Sequence, residues 1–217
     1  IVKREKPEFI RGLTAGWLVS VVATQSVSIM SNHLASAFPA HREWLVLFAC
    51  VMWLVGWMLY VWIGLLVFYR YVFFSITPED LVPTSWISMG ALAITTLAGA
   101  RLIMNARYLR TVEEMQPFLK GFTLLSWAMA TWWIPLLVML GVWKYGRQRY
   151  PLRYAPLYWS AVFPLGMYTV ATHQLARAED LDMLMPLPHY FVFVALLAWL
   201  ATATAMLWRF ARVLLQP

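Results

Sequence analysis

The sequence predicts an all-α polytopic membrane protein, and three observations favour this class. Hydrophobic residues make up 62% of the 217 and charged residues only 12%, about half of the roughly 25% that soluble domains carry. Six stretches nearly free of charge are long enough to cross a bilayer, which takes about 20 helical residues. Turn-forming residues separate these stretches. The composition therefore argues against a soluble globular domain.

The six predicted spans form one transmembrane domain over residues 1–217. Pro83 suits the first turn of the third span, where a backbone N–H would have no partner. The third span is short, and we expect Arg101 near its end to snorkel toward the membrane surface. The spans cover residues 13–32, 44–69, 84–103, 118–143, 154–176 and 189–208.

The first residues read as a connecting loop. Ile1 and Val2 precede a mixed-charge stretch that ends at Arg11, with no Met and no signal-peptide pattern. We therefore expect the chain to be a fragment of a longer protein.

The composition alternates from span to span. Serine and threonine number fourteen in the first, third and fifth spans and five in the others, whereas the second span holds eight aromatic residues and no Ser or Thr. Large aromatic side chains suit lipid, and small hydroxyl side chains suit close helix contacts or a water-filled lumen. We therefore predict helical hairpins with the odd helices inside, around a pore, and the even helices outside.

The polar faces of the odd helices have two interpretations. Small polar residues allow helices to pack closely, which by itself explains many of these positions. Alternatively, they line a neutral pore, because they recur at helical spacing on three spans without a carboxylate. The predicted pore-lining residues are Thr24, Gln25, Ser28, Ser88, Thr95 and Thr169.

Four segments carry a resemblance to a known family: Trp17–Ser26, Pro83–Gly90, Trp127–Pro135 and Val162–Thr172. The chain resembles the tellurite-resistance/dicarboxylate transporter family, which includes plant slow-type anion channels, fungal malate permeases and sulfite efflux pumps. Members have ten helices in five hairpins, with the odd helices around a pore. The resemblance covers the last six of the ten, and the first four have no counterpart here. It also implies a homotrimer in which each protomer has its own pore.

In that family an inner-helix Phe beside a Pro plugs the pore. The matching pair here is Phe163 and Pro164, and the resemblance implies that Phe163 is the gate. Pro164 removes a backbone hydrogen bond and bends the helix, and Gly166 eases the bend. A bulky apolar ring at a bend narrows a lumen and closes it by dewetting. The alternative is a lipid-facing or core phenylalanine.

Two transport functions follow as hypotheses. The first is an anion channel or permease that moves small inorganic or carboxylate anions through a neutral pore gated by Phe163. The second is a secondary transporter for tellurite, sulfite or C4-dicarboxylates. A proton-coupled carrier would need an ionisable residue inside the membrane, and no Asp or Glu lies within any predicted span, which favours the channel.

Other chemistries lack a matching motif. His33 and His173 have no second ligand at helical spacing, so we expect neither a metal nor a haem, and no cofactor. The acidic loop from Glu179 to Asp182 lacks the further ligands of a calcium site. No nucleophile or phosphate-binding motif occurs, so we expect no enzyme. Nothing indicates nucleic-acid binding, and membrane lipid is the expected surrounding partner.

Basic residues set the predicted orientation. Eleven Lys and Arg lie on the side of both termini and six on the other, which places both termini in the cytoplasm, at a bacterial inner membrane. Lys144, Arg147, Arg149 and Arg153 follow the fourth span. Besides directing topology, they would raise the anion concentration at the cytoplasmic mouth.

The orientation can be tested with fusions at the C-terminus. We expect a green fluorescent protein fusion to be bright and an alkaline phosphatase fusion to be inactive, because phosphatase folds only after export. Active phosphatase at this position would reverse the predicted topology.

Overall fold

The computed structural model describes residues 12–152 and 154–215. Within these ranges every regular element is helical, which confirms the all-α class. A short helical turn at Arg110–Glu114 accompanies six long helices. These are α1 (Val19–Ala37), α2 (Arg42–Phe73), α3 (Ile87–Asn105), α4 (Gln116–Val142), α5 (Trp159–Ala178) and α6 (Pro186–Leu215).

Proline marks the start of two inner helices. A 3-10 turn at Pro83–Trp86 leads into α3, and another at Pro156–Tyr158 leads into α5. Proline is favoured there because its fixed φ is already helical and its missing N–H would have had no partner. Each of the six long helices overlaps one predicted span.

Length and composition identify four helical segments that can cross a membrane. They contain α2, α3, α4 and α6, and they cover Pro39–Phe73, Pro83–Tyr108, Gln116–Arg147 and Asp182–Leu214. The other two helices are more polar, with five serines in α1 alone. That α1 and α5 also cross the membrane, which would give six crossings in total, therefore stays a prediction.

Helix α3 is the most enclosed element. Every residue from Ile87 to Ala100 is buried, because α1, α2, α4 and α5 all pack against it. Six of these residues are Gly or Ala, and small side chains let neighbouring backbones approach closely. Such packing is a main source of helix association in membranes, where lipid is as apolar as the side chains.

Two glycines of α3 lie at the closest approaches. A Cβ atom on Gly90 would lie 2.8 Å from Cγ of Pro164 in α5, and a Cβ atom on Gly99 would collide with the Thr123 side chain of α4. Glycine at these positions thus sets the separation of α3 from both neighbours.

Two side chains of α2 bind the backbone of α3. Trp53 Nε1 donates to the Thr95 carbonyl at 3.0 Å, and the Tyr60 hydroxyl donates to the Ser88 carbonyl at 3.3 Å. Trp133 of α4 donates in turn to the Tyr60 oxygen at 2.8 Å. These three buried side chains are therefore paired where no water can satisfy them.

The outer surface is formed largely by α2, α4 and α6. Trp62, Met139 and Leu197, one from each of these helices, are more than 60% exposed, as expected for side chains that face lipid. The predicted arrangement thus holds for α3 inside and the even helices outside. Helices α1 and α5 are enclosed on one side only, with Met30 and Val170 on their open faces.

The connection between α2 and α3 is held by Arg70. Its guanidinium donates to Asp80 at 2.7 Å and to the Leu13 carbonyl at 2.6 Å. The Thr77 backbone N–H donates to the same carboxylate at 2.9 Å. This hydrogen bond is the main reason why the pKa of Asp80 lies below its usual range. This cluster joins the loop to the residues just before α1.

The close approach of α3 and α5 yields a stability prediction. We expect Gly90→Ala to lower the melting temperature, because overpacking of a tight site typically costs about 1–3 kcal/mol. Gly121→Ala is the matched control: its Cβ would meet nothing within 4 Å, and Ala is favoured over Gly in helices by about 0.5–1 kcal/mol. Equal melting temperatures for the two variants in detergent would contradict the contact.

Candidate functional site

Two of the predicted pore-lining residues join α1 to α2. Gln25 and Ser28 are fully buried. The Gln25 amide donates to the Trp53 carbonyl at 3.1 Å, and the Ser28 hydroxyl donates to the Ala49 carbonyl at 2.7 Å. Gly56 leaves the room that the Gln25 amide occupies. Within this chain these two side chains therefore connect helices.

Two further predicted residues, Ser88 and Thr95 of α3, are also fully enclosed. The Thr95 hydroxyl donates to the Ala91 carbonyl at 2.7 Å, and the Ser88 hydroxyl oxygen has no partner among the described residues. The backbone carbonyls of both residues accept the bonds from α2 described above. The structure thus places both in the region where α2 meets α3, away from open surface.

The accessible area that α3 retains lies on another face. Ile87, Ile94 and Leu97 are 7%, 3% and 8% exposed, against 0% for Ser88 and Thr95. Ile94 follows Ile87 by seven residues, and Leu97 follows Ile94 by three. Arg101, four residues after Leu97, is partly exposed. Positions seven or three to four apart share one side of an α-helix. This stripe, Ile87–Ile94–Leu97–Arg101, is called the open face of α3 below.

The last two predicted pore-lining residues, Thr24 and Thr169, are half-buried and bond to their own helices. Thr24 donates to the Ser20 carbonyl at 2.9 Å, and Thr169 donates to the Leu165 carbonyl at 3.0 Å. Thr169 lines a groove of about 300 Å³ between α5 and α6. It therefore lies apart from the other predicted residues.

The predicted gate lies on an open face of α5. Phe163 is 43% exposed, and Val170, seven residues later and on the same side, is 47% exposed. Pro164 points the other way and is buried against Gly90 of α3. Gly166 lines the α5–α6 groove with Thr169. Val170 lines the same groove, so the groove borders the side of α5 that carries Phe163.

The basic residues after α4 lie in different environments in the structure. Lys144 is only 5% exposed, and its ammonium donates to the Leu81 carbonyl at 2.8 Å and lies 4.3 Å from the Tyr150 ring centre. Arg147 and Arg149 are exposed, and Arg153 lies outside the described residues. Lys144 thus anchors the loop before α3, whereas the side chains of Arg147 and Arg149 remain at the surface.

Sequence reasoning missed a polar contact at the far end of the inner helices. The Asn105 amide of α3 donates to the Asn32 carbonyl oxygen of the backbone at 2.9 Å and to its side-chain oxygen at 3.1 Å. Arg101, which the sequence predicts to snorkel, is partly exposed, and its Nε atom is enclosed.

No group of three or more His, Cys, Asp or Glu side chains suited to a metal occurs in residues 12–152 and 154–215. Cys50 is buried in α2.

Comparison with known proteins gives a family match and several relatives. The model of a family described as voltage-dependent anion channel matches residues 1–207. An uncharacterized membrane protein of Mycobacterium tuberculosis strain H37Rv is 40% identical over 149 residues, which are 69% of this chain and 75% of that protein. No solved structure matches the chain.

Two archaeal relatives are longer. Both are uncharacterized transporters of Methanocaldococcus jannaschii. One is 24% identical over 191 residues, 86% of this chain and 53% of the relative. The other is 26% identical over 162 residues, 73% of this chain and 44% of the relative. The chain thus spans about half the length of these archaeal proteins.

Cysteine accessibility can compare the two faces of α3. Leu97 and Thr95 are two residues apart and therefore point in nearly opposite directions. In a Cys50→Ser background, we expect a small water-soluble thiol reagent to modify Leu97→Cys faster than Thr95→Cys. If Thr95→Cys reacts as fast or faster, the lumen lies on the predicted hydroxyl face instead.

Proposed function

Because the chain belongs to the voltage-dependent anion channel family, we propose that it forms a pathway by which small anions cross a membrane. The family match over nearly the whole chain is the observation that carries this proposal. The pathway would run beside α3, between the open faces of α1 and α5. The six hydroxyl and amide residues predicted from the sequence as its lining stay a prediction, which the cysteine comparison tests.

The chemistry of the inner helices supports passage of anions. Helices α1, α3 and α5 contain no Asp or Glu, so no fixed negative charge repels an anion there. Apart from two histidines and two arginines, their polar side chains are mostly hydroxyls and amides, which can replace part of an anion's hydration shell without binding it tightly. Weak binding favours conduction, because an ion must leave as readily as it enters.

Phe163 is the proposed gate. Its ring lies on an open face of α5, directly before the proline that is held against α3. A large apolar ring in a narrow lumen disfavours water, and an ion cannot pass where water is excluded. Movement of this ring would open the pathway.

A secondary transporter is the second candidate. Both archaeal relatives are named as transporters, and tellurite, sulfite and C4-dicarboxylates are the substrates we would test first. Flux in proteoliposomes separates the two mechanisms: a channel gives currents that reverse at the anion equilibrium potential, whereas a coupled carrier gives flux that depends on a proton gradient.

The assembly is proposed from the resemblance to the family. We propose a homotrimer with one pathway in each protomer, in a bacterial inner membrane with both termini cytoplasmic. Cross-linking of the purified full-length protein tests the stoichiometry.

Truncation of the proposed gate gives a direct test. We expect Phe163→Ala to increase anion flux severalfold in proteoliposomes while the melting temperature changes little. Truncating a buried Phe typically costs about 3–5 kcal/mol, but this ring is nearly half exposed, so less burial is lost. Phe163→Leu should lie between the parent and Phe163→Ala, because a smaller apolar side chain still discourages wetting.

Phe193→Ala is the matched control, since Phe193 is 57% exposed on the outer helix α6. This variant should leave flux unchanged. A Phe163→Ala protein that is stable and conducts like the parent would place the gate elsewhere.

A further inference from the structure

The open face of α3 ends in a positive charge. Arg101 follows Ile94 by seven residues and Leu97 by four, so all three side chains lie on one side of the helix. Arg101 is partly exposed, whereas the fourteen residues before it are all buried. The apolar stripe therefore leads to a single guanidinium near the end of α3 that also carries Asn105.

This guanidinium has no partner among the described residues. No hydrogen bond, ion pair or aromatic contact of Arg101 occurs there, and its Nε atom is enclosed without an acceptor. Glu179, at the end of α5, is the carboxylate on the corresponding end of a neighbouring inner helix. One of its oxygens is likewise enclosed without a partner, and no ion pair joins it to Arg101. Glu114, in the short helical turn that follows α3, pairs with Arg110 at 2.8 Å.

An uncompensated charge inside a membrane protein is costly, and residues of this kind commonly mark ion pathways. The location makes the charge more tolerable, because the C-terminal end of a helix favours a cation. Arg101 as a whole is partly exposed, although its Nε atom is enclosed. Its guanidinium can therefore donate to an ion that reaches this end of α3.

We propose that Arg101 binds the permeating anion at the end of the pathway beside α3. This inference rests on the proposed function and deepens it, because it adds one fixed positive charge to an otherwise neutral pathway. A guanidinium offers parallel N–H groups that match planar oxyanions such as nitrate or a carboxylate, and it binds a halide through fewer contacts. Arg101 thus favours planar oxyanions over chloride.

Three variants test the proposal in proteoliposomes containing the full-length protein. We expect Arg101→Gln to raise the half-saturating nitrate concentration about tenfold, the low end for loss of a hydrogen bond to a charged group. Arg101→Lys keeps the charge, so it should retain most chloride affinity but lose the preference for nitrate. Arg107→Gln is the control, because Arg107 is exposed near the same end of α3 and its loss changes the net charge equally.

Binding is measured separately from transport. At equal ionic strength, nitrate should raise the melting temperature of the purified parent and of Arg107→Gln more than chloride does, but this difference should be absent in Arg101→Gln. Without anion, Arg101→Gln should melt no lower than the parent, because it removes an unpaired charge. Failure of both Arg101 variants to fold would assign Arg101 a structural role and overturn the proposal.

Equal nitrate dependence in Arg101→Gln and Arg107→Gln would also overturn it. Failure of the proposed function would give a different result. The parent would then show no anion flux, but if the Arg101 site exists, nitrate would still stabilise the parent more than chloride does, and not Arg101→Gln.

Discussion

The enclosure of α3 by four other helices is the constraint on which the rest of the structure depends. Its residues are small enough that α4 and α5 approach its backbone directly at Gly99 and Gly90. On the α2 side, Trp53 and Tyr60 bind its backbone carbonyls. These contacts fix both the distance and the rotation of the central helix. The open faces of α1 and α5, and the stripe that ends at Arg101, are what remains after this packing is satisfied.

The fold class followed from the sequence because bilayer thickness fixes the length of an apolar helix. The division into inner and outer helices also followed for α3 and for the even helices, since aromatic side chains suit lipid and small ones suit helix contacts. Helix ends were less predictable. Pro83 was visible as a helix start. The extension of α2 to Phe73, however, continues past the predicted span through Arg70, whose charge is paired with Asp80.

The lining of the pathway could not be read from the sequence in the same way. A buried Ser or Thr can satisfy its hydroxyl on its own helix, as Thr95 does on Ala91, or on a neighbour, as Ser28 does on Ala49. Polarity at helical spacing therefore marks helix interfaces as well as lumens. Lys144 illustrates the same limit, because its position in a basic run gave no sign that its ammonium would donate a hydrogen bond to the Leu81 carbonyl.

The contact between Gly90 and Pro164 also determines how α5 can deform. Proline leaves the carbonyl one turn earlier without its helical donor, so bending stiffness is lowest at this point. The same proline ring packs closely against Gly90 of α3. Residues beyond it are anchored by Tyr168, Ala171 and Leu175, all buried. The short segment before it, Trp159–Phe163, can thus bend relative to the rest of α5 at Pro164. Just before this segment, the hydroxyl groups of Tyr158 and Tyr145 form a hydrogen bond of 3.0 Å, which restrains the start of the segment.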